Sequence, residues 1–137
     1  PGTLPVALIA GLGKAAELAL KGNSDWKEQN AATRSHILHQ FKEIPYIING
    51  DQEHCLMGTI NISFIGVDAE ALMLATKESC AISNGSACTS HDYKPSHVLK
   101  SMGFSEEIIH SSVRISWGPE TKQPDLTTLL SGVKKLL

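Results

Sequence analysis

Two stretches of this chain alternate apolar and polar residues with a period of two, and that pattern constrains the fold more than any other feature. In Gly58–Ile65, Ile60, Ile62 and Phe64 alternate with Asn61, Ser63 and Ile65. In Ser111–Trp117, Val113, Ile115 and Trp117 fall on one face while Ser112, Arg114 and Ser116 fall on the other. Successive side chains of a strand point to opposite faces, so both stretches read as half-buried strands at a sheet edge or in a hairpin. Tyr46-Ile47-Ile48 reads as a further strand, with turn chemistry after it at Asn49-Gly50-Asp51. Cys80-Ala81-Ile82 is short and apolar enough to be another.

Helical signals separate these strands. Thr3 can cap a first helix, with Pro5 in its first turn and Leu8, Leu12, Ala15, Ala16 and Ala19 along one face, ending at Gly22-Asn23. A second helix is expected from Ser24 or Asp25 to about Glu43, burying Ile37, Leu38 and Phe41 beside Arg34, and Pro45 stops it. Asp68 caps a short helix through Lys77, with Val67 placed to staple against Leu72. Pro95 opens a helix to about Met102, followed by a capping Gly103, and Ser105 caps another turn through Ile109. A last helix begins at Pro124 and carries the apolar stripe Leu126, Leu129, Leu130, Val133, Leu136 and Leu137.

Helices and short strands are thus interleaved, yet no glycine-rich phosphate loop follows a strand, which argues against a nucleotide-binding doubly wound fold. The expected architecture is a compact α+β sandwich forming a single domain over residues 1–137. A chain of 137 residues with 42% hydrophobic content can bury roughly two-thirds of its unfolded surface. A net charge of −2 gives no basic excess for nucleic acid or an anionic membrane. No apolar stretch is long enough to span a bilayer and no export signal opens the chain. Three unevenly spaced cysteines indicate reduced thiols and a cytoplasmic setting. The start at Pro1-Gly2-Thr3 suggests a piece of a longer protein.

Between Ser83 and Pro95 the apolar periodicity vanishes, and Cys88 stands in a polar loop with no apolar neighbour larger than alanine. An open thiol of this kind is a candidate nucleophile, because reactivity needs thiolate and access. Cys55, beside Leu56 and Met57, and Cys80, in an apolar run, read instead as small buried hydrophobes. By residue type alone Arg114 is a surface arginine on a strand, or one paired with a neighbouring carboxylate. The six histidines suggest no metal site, since His54, Cys55, Cys80, Cys88 and His91 lack the paired close spacing of zinc ligands.

Gly85-Ser86-Ala87-Cys88-Thr89-Ser90, then Pro95-Ser96-His97-Val98-Leu99, then His110-Ser111-Ser112-Val113-Arg114-Ile115-Ser116 resemble, in order and spacing, the NifS/IscS-type cysteine desulfurases. The opening Gly2-Thr3-Leu4-Pro5 is similar to the motif that begins the family's small domain. The resemblance implies the C-terminal small domain of a fold-type I enzyme dependent on pyridoxal 5'-phosphate, one that converts L-cysteine to L-alanine and holds the sulfur as a persulfide. It implies that Cys88 accepts the sulfur, that Arg114 grips the substrate α-carboxylate, and that Thr3 reaches the cofactor phosphate of the other subunit in a homodimer. It further implies a sulfur acceptor or scaffold protein as partner, serving iron–sulfur cluster assembly, tRNA thiolation or DNA phosphorothioation.

The family's cofactor lysine stands in a Ser-x-His-Lys context, and no lysine here does. The resemblance therefore places the cofactor in a large domain outside this chain, and the chain alone is expected to be inactive. A non-catalytic docking module with the same fold is the competing reading, and an aminotransferase-like protein without sulfur chemistry is a third. Docking needs neither a thiol nor a carboxylate fork, and the aminotransferase reading has no use for Cys88.

Overall fold

A computed structural model describes residues 2–84, 95–121 and 123–137. In chain order the elements are α1 (Val6–Gln40), β1 (Tyr46–Ile48), β2 (Thr59–Phe64), α2 (Ala69–Thr76), β3 (Ser83–Asn84), α3 (His97–Ser101), α4 (Glu106–His110), β4 (Ser112–Ser116) and α5 (Thr127–Leu136). The four strands form one antiparallel sheet in the order β1-β2-β4-β3. The alternation in β2 and β4 is satisfied as read: Ile60, Ile62, Phe64, Val113 and Ile115 are all buried in one core. Opposite them Ile62 faces Val113 and Ile60 faces Ile115 across the strands, so the pairs share a face. Ile37 and Phe41 of α1, Leu72 of α2, and Leu129 and Val133 of α5 complete the core. The Phe41 ring meets Phe64 edge to face, centroids 5.1 Å apart.

The expected pair of helices before Pro45 is a single helix of 35 residues. Gly22 and Asn23 do not stop it. A glycine inside a helix costs about 1 kcal/mol relative to alanine, too little to end one supported elsewhere. Here the Trp26 indole, one turn on, lies over Gly22, where an added Cβ would fall 2.5 Å from the ring. Lys14 and Lys21 flank Glu17 at 3.0 and 2.6 Å on the exposed surface and hold its carboxyl below the ordinary range, the Lys21 bond contributing most. Thr3 does not cap the helix: Pro5 occupies the cap position and no side chain bonds the first turn.

The two halves of α1 differ sharply. Thr33, Arg34 and Ile37 are buried, whereas Leu8, Leu12 and Leu20 keep 74%, 72% and 85% of their surface exposed. The apolar face expected on Leu8 and Leu12 exists as a pattern, and no described residue covers it.

Other boundaries shift by a few residues. The third strand is Ser83–Asn84 rather than Cys80–Ile82, because the Cys80 amide still donates to Thr76 at the end of α2 (2.9 Å). Helix α3 starts after Ser96, whose hydroxyl accepts from the Leu99 amide, and not at Pro95. Gly103 follows its end at φ +83°, the left-handed conformation that glycine adopts at no steric cost. Helix α5 begins at Thr127 rather than Pro124, since Gln40 holds the preceding turn through its side chain, donating to the Pro124 carbonyl and accepting from the Leu126 amide. The Asp68 cap is present as read, its carboxylate accepting from the Ala71 amide at 2.8 Å, and Val67 and Leu72 are both buried. Among the described residues no helix is long and apolar enough to cross a membrane.

Candidate functional site

The sheet's second face is polar, and its two ends are treated differently. At one end Ser63 and Ser112 are fully buried under α4, donating to the Ile108 and Ile109 carbonyls at 2.8 and 2.9 Å. At the other end Thr59, Asn61, Arg114 and Ser116 leave the face open. Arg114 is exposed, and among the described residues its guanidinium has no hydrogen-bond or ion-pair partner. The register sets Asn61 of β2 directly opposite it on one side and Ser83 of β3 on the other.

A cleft of about 210 Å³ opens beside Arg114, between β2 and the 49–57 loop, and Arg34, Asn49, Asp51, Gln52, Cys55 and Asn61 share its walls. Arg34 reaches it from the buried half of α1. Arg34 as a residue is only 9% exposed, and its guanidinium donates to the Thr59 carbonyl at 3.1 Å and to the Gln52 amide oxygen. A buried guanidinium left unpaired would be costly, so these two bonds tie the loop to the helix. Asp51 is the acidic residue of the wall, and its carboxylate is occupied. It accepts from the Glu53 amide (2.8 Å), the His54 ring (3.0 Å) and the His54 amide, which together hold its carboxyl below the usual range, the Glu53 bond foremost. The cleft therefore presents two guanidiniums and one carboxylate already satisfied by its own loop, an arrangement suited to a small anion.

Asn49 supports this wall from beneath. It is 8% exposed, its amide N–H donates to the Asn61 carbonyl at 2.9 Å, and its side-chain nitrogen donates to Asn61 Oδ1 (2.6 Å) and Ser63 Oγ (2.8 Å). Its own Oδ1 is buried without a partner among the described residues. Arg34, Asn49 and Asn61 were not among the residues singled out from sequence. Asn61 was legible only as the polar side of an alternating strand; its place opposite Arg114 follows from pairing, which no single stretch encodes.

Of the residues read as functional, Arg114 is at this cleft, Thr3 is far from it and Cys88 lies outside the described residues. Thr3 precedes a helix that enters the cleft wall only at Arg34, so at 1.5 Å per residue it stands about 40 Å away along the axis. Its side chain is exposed. Cys55 is half-buried and lines the cleft, with Sγ 3.5 Å from the Gln52 carbonyl, rather than sitting in the core. Cys80 packs partly buried against the core, and burial raises its thiol pKa above the ordinary value. Among the described residues no three histidine, cysteine or acidic side chains gather as metal ligands.

The model of the family "Aminotransferase class-V" matches residues 1–129. Over 135 residues the chain is 37% identical to cysteine desulfurase IscS of Escherichia coli (strain K12 / DH10B), covering 98% of this chain and 33% of that protein. The same figures hold for IscS of Shigella boydii serotype 18. Among solved structures, the NifS-like protein of Rickettsia africae ESF-5 superposes with a TM-score of 0.81 at 25% identity, over 99% of this chain and 36% of that one. DndA from Streptomyces lividans superposes at 0.65 with 36% identity, over 86% and 33%. The chain spans about one-third of the length of these relatives.

Enzymes of this family depend on pyridoxal phosphate. The residues of this cleft do not fit that cofactor by themselves: no lysine lines it, and its donors form a clamp for a small anion rather than a cradle for a phosphate ester and a ring. Family match, sequence identity and superposition agree over most of the chain: it belongs to the class-V aminotransferase family and is of the NifS/IscS type.

Proposed function

We propose that this chain is the small domain, a single domain over residues 1–137, of a cysteine desulfurase that takes sulfur from L-cysteine and passes it to an acceptor protein. One observation carries the reading. The Arg114 guanidinium stands unpartnered among the described residues on the open end of the polar face, and its neighbour Ser83 begins a two-residue strand that precedes the segment bearing Cys88. Cys88 is five positions on from Ser83 in the sequence, a reach of at most about 18 Å for an extended chain.

In this reading Arg114 holds the substrate carboxylate through two parallel charge-assisted hydrogen bonds. The Cys88 thiolate attacks the substrate sulfur and forms the S–S bond of a persulfide as the Cβ–S bond breaks. The electron pair of that bond stays with Cβ, which takes up a proton to give L-alanine. The cofactor sits in the remainder of the complete enzyme, so the isolated chain does not turn over cysteine. Thr3, about 40 Å along α1 from Arg34 in the cleft wall, is too distant to serve the same site within one chain. Its hydroxyl instead donates to the cofactor phosphate of the other subunit, which makes the complete enzyme a homodimer. The setting is cytoplasmic, where thiols stay reduced, and the partner is a scaffold or acceptor protein rather than nucleic acid or membrane.

The test is to give L-cysteine to the complete enzyme and to its Cys88→Ser and Arg114→Ala variants and to measure alanine, sulfide and the Michaelis constant. Cys88→Ser abolishes sulfur transfer with folding intact, and Arg114→Ala raises KM. Sulfur loading at the normal rate in Cys88→Ser, or robust turnover by the isolated chain, contradicts the proposal.

A further inference from the structure

The polar face assigns a role to a residue that neither the family match nor the sequence motifs single out: we propose that Asn61 is a second donor to the substrate carboxylate, set beside Arg114 by strand register and aimed by Asn49. This rests on the reading of Arg114 as the carboxylate clamp. Asn61 and Arg114 are directly paired residues of adjacent antiparallel strands, so their Cβ atoms lie roughly 4.5–5.5 Å apart on one face. Both line the same cleft of about 210 Å³.

The orientation of the Asn61 amide follows from what binds its oxygen. Asn61 Oδ1 accepts from Asn49 Nδ2 at 2.6 Å, which turns the Asn61 NH2 group to the free side, where it donates to no described residue. Asn49 is in turn held by its backbone bond to Asn61 and its side-chain bond to Ser63, and Ser63 is anchored to α4. The chain of bonds therefore runs from a buried helix turn to one open donor beside the guanidinium. A carboxylate offers about four lone-pair sites and a guanidinium fork takes two of them, so a neutral N–H donor alongside finds an acceptor that Arg114 leaves free. A carboxylate at position 61 would do the opposite, pairing with Arg114 and repelling the substrate.

Asn61→Ala removes the donor without adding a charge, and Asn61→Asp keeps the acceptor for Asn49 Nδ2 while a carboxylate replaces the donor, so the pair separates this role from a structural one. In the complete enzyme Asn61→Asp and Asn61→Ala raise KM for L-cysteine about ten-fold or more, with a smaller change in kcat. Inhibition by L-alanine weakens in parallel, inhibition by ethylamine, which has no carboxylate, does not change, and the melting temperature of Asn61→Asp stays at the wild-type value. If Asn61→Ala keeps KM within about two-fold of wild type while Arg114→Ala raises it, the role of Asn61 is overturned and the clamp stands. If Arg114→Ala leaves KM unchanged, the clamp itself fails and the role of Asn61 fails with it.

Discussion

The two faces of the four-stranded sheet are built from the same two strands and do different work. On one face Ile60, Ile62, Phe64, Val113 and Ile115 are sealed against α1, α2 and α5. On the other, Asn61 and Arg114 stand at an open cleft while Ser63 and Ser112, two residues further on, are closed under α4. The difference teaches that neighbouring residues in these strands have separate tasks: a substitution on the apolar face acts on folding, whereas Asn61 and Arg114, on the open end of the polar face, are left free for the proposed ligand.

Phe64→Ala breaks the apolar side hardest. The ring is fully buried and meets Phe41 edge to face, so the loss is about 3–5 kcal/mol, read from the denaturant midpoint. Arg114→Ala is the polar counterpart. In the complete enzyme it lowers kcat/KM about a hundred-fold by removing two charge-assisted bonds to the substrate, yet leaves the same midpoint in place. Arg114→Lys sharpens the point, because a charge without the fork recovers only part of that loss.

A milder contrast sets Cys80 against an exposed model thiol. Burial raises the Cys80 pKa, so less thiolate is present at a given pH and alkylation is slower than for the model thiol at pH 8, the gap narrowing as pH rises through the Cys80 value. Stopped-flow or mass-resolved alkylation across pH checks it. The smallest effect belongs to Ser116→Ala, at the exposed end of the polar face, where among the described residues the hydroxyl meets only Thr59 Oγ1, at 3.2 Å. Its stability change stays within about 0.5 kcal/mol.

The same division explains what was legible in the sequence. Period-two alternation placed β2 and β4 to within one residue and assigned Arg114 to the polar face, because inward and outward residues in a strand are a local property. Helix α1 was divided wrongly because Gly22-Asn23 is also a local signal, and it is overruled by a ring three residues beyond the pair and by a buried half held through Arg34, Ile37 and Phe41. The third strand was displaced because Cys80-Ala81-Ile82 has the composition of a strand, whereas the pairing with Arg114 and Val113 falls to Ser83 and Asn84.

The cleft was the least legible part. Arg34, Asn49 and Asn61 come from α1, the loop after β1, and β2, and what joins them is tertiary: a guanidinium bonded to Thr59 and Gln52, and two amides bonded to one another. The motif around Cys88 carried the resemblance on which the proposed chemistry rests, and the strand register shows which residues stand beside Arg114.

The central claim is that sulfur from L-cysteine passes to Cys88. Its most direct test is to react the complete enzyme with L-cysteine, block free thiols, digest it and locate the added sulfur by mass spectrometry. One extra sulfur atom on the peptide holding Cys88, and none on those holding Cys55 or Cys80, is the predicted result. Sulfur on Cys55, which shares the cleft with Arg114, and none on Cys88 would contradict it.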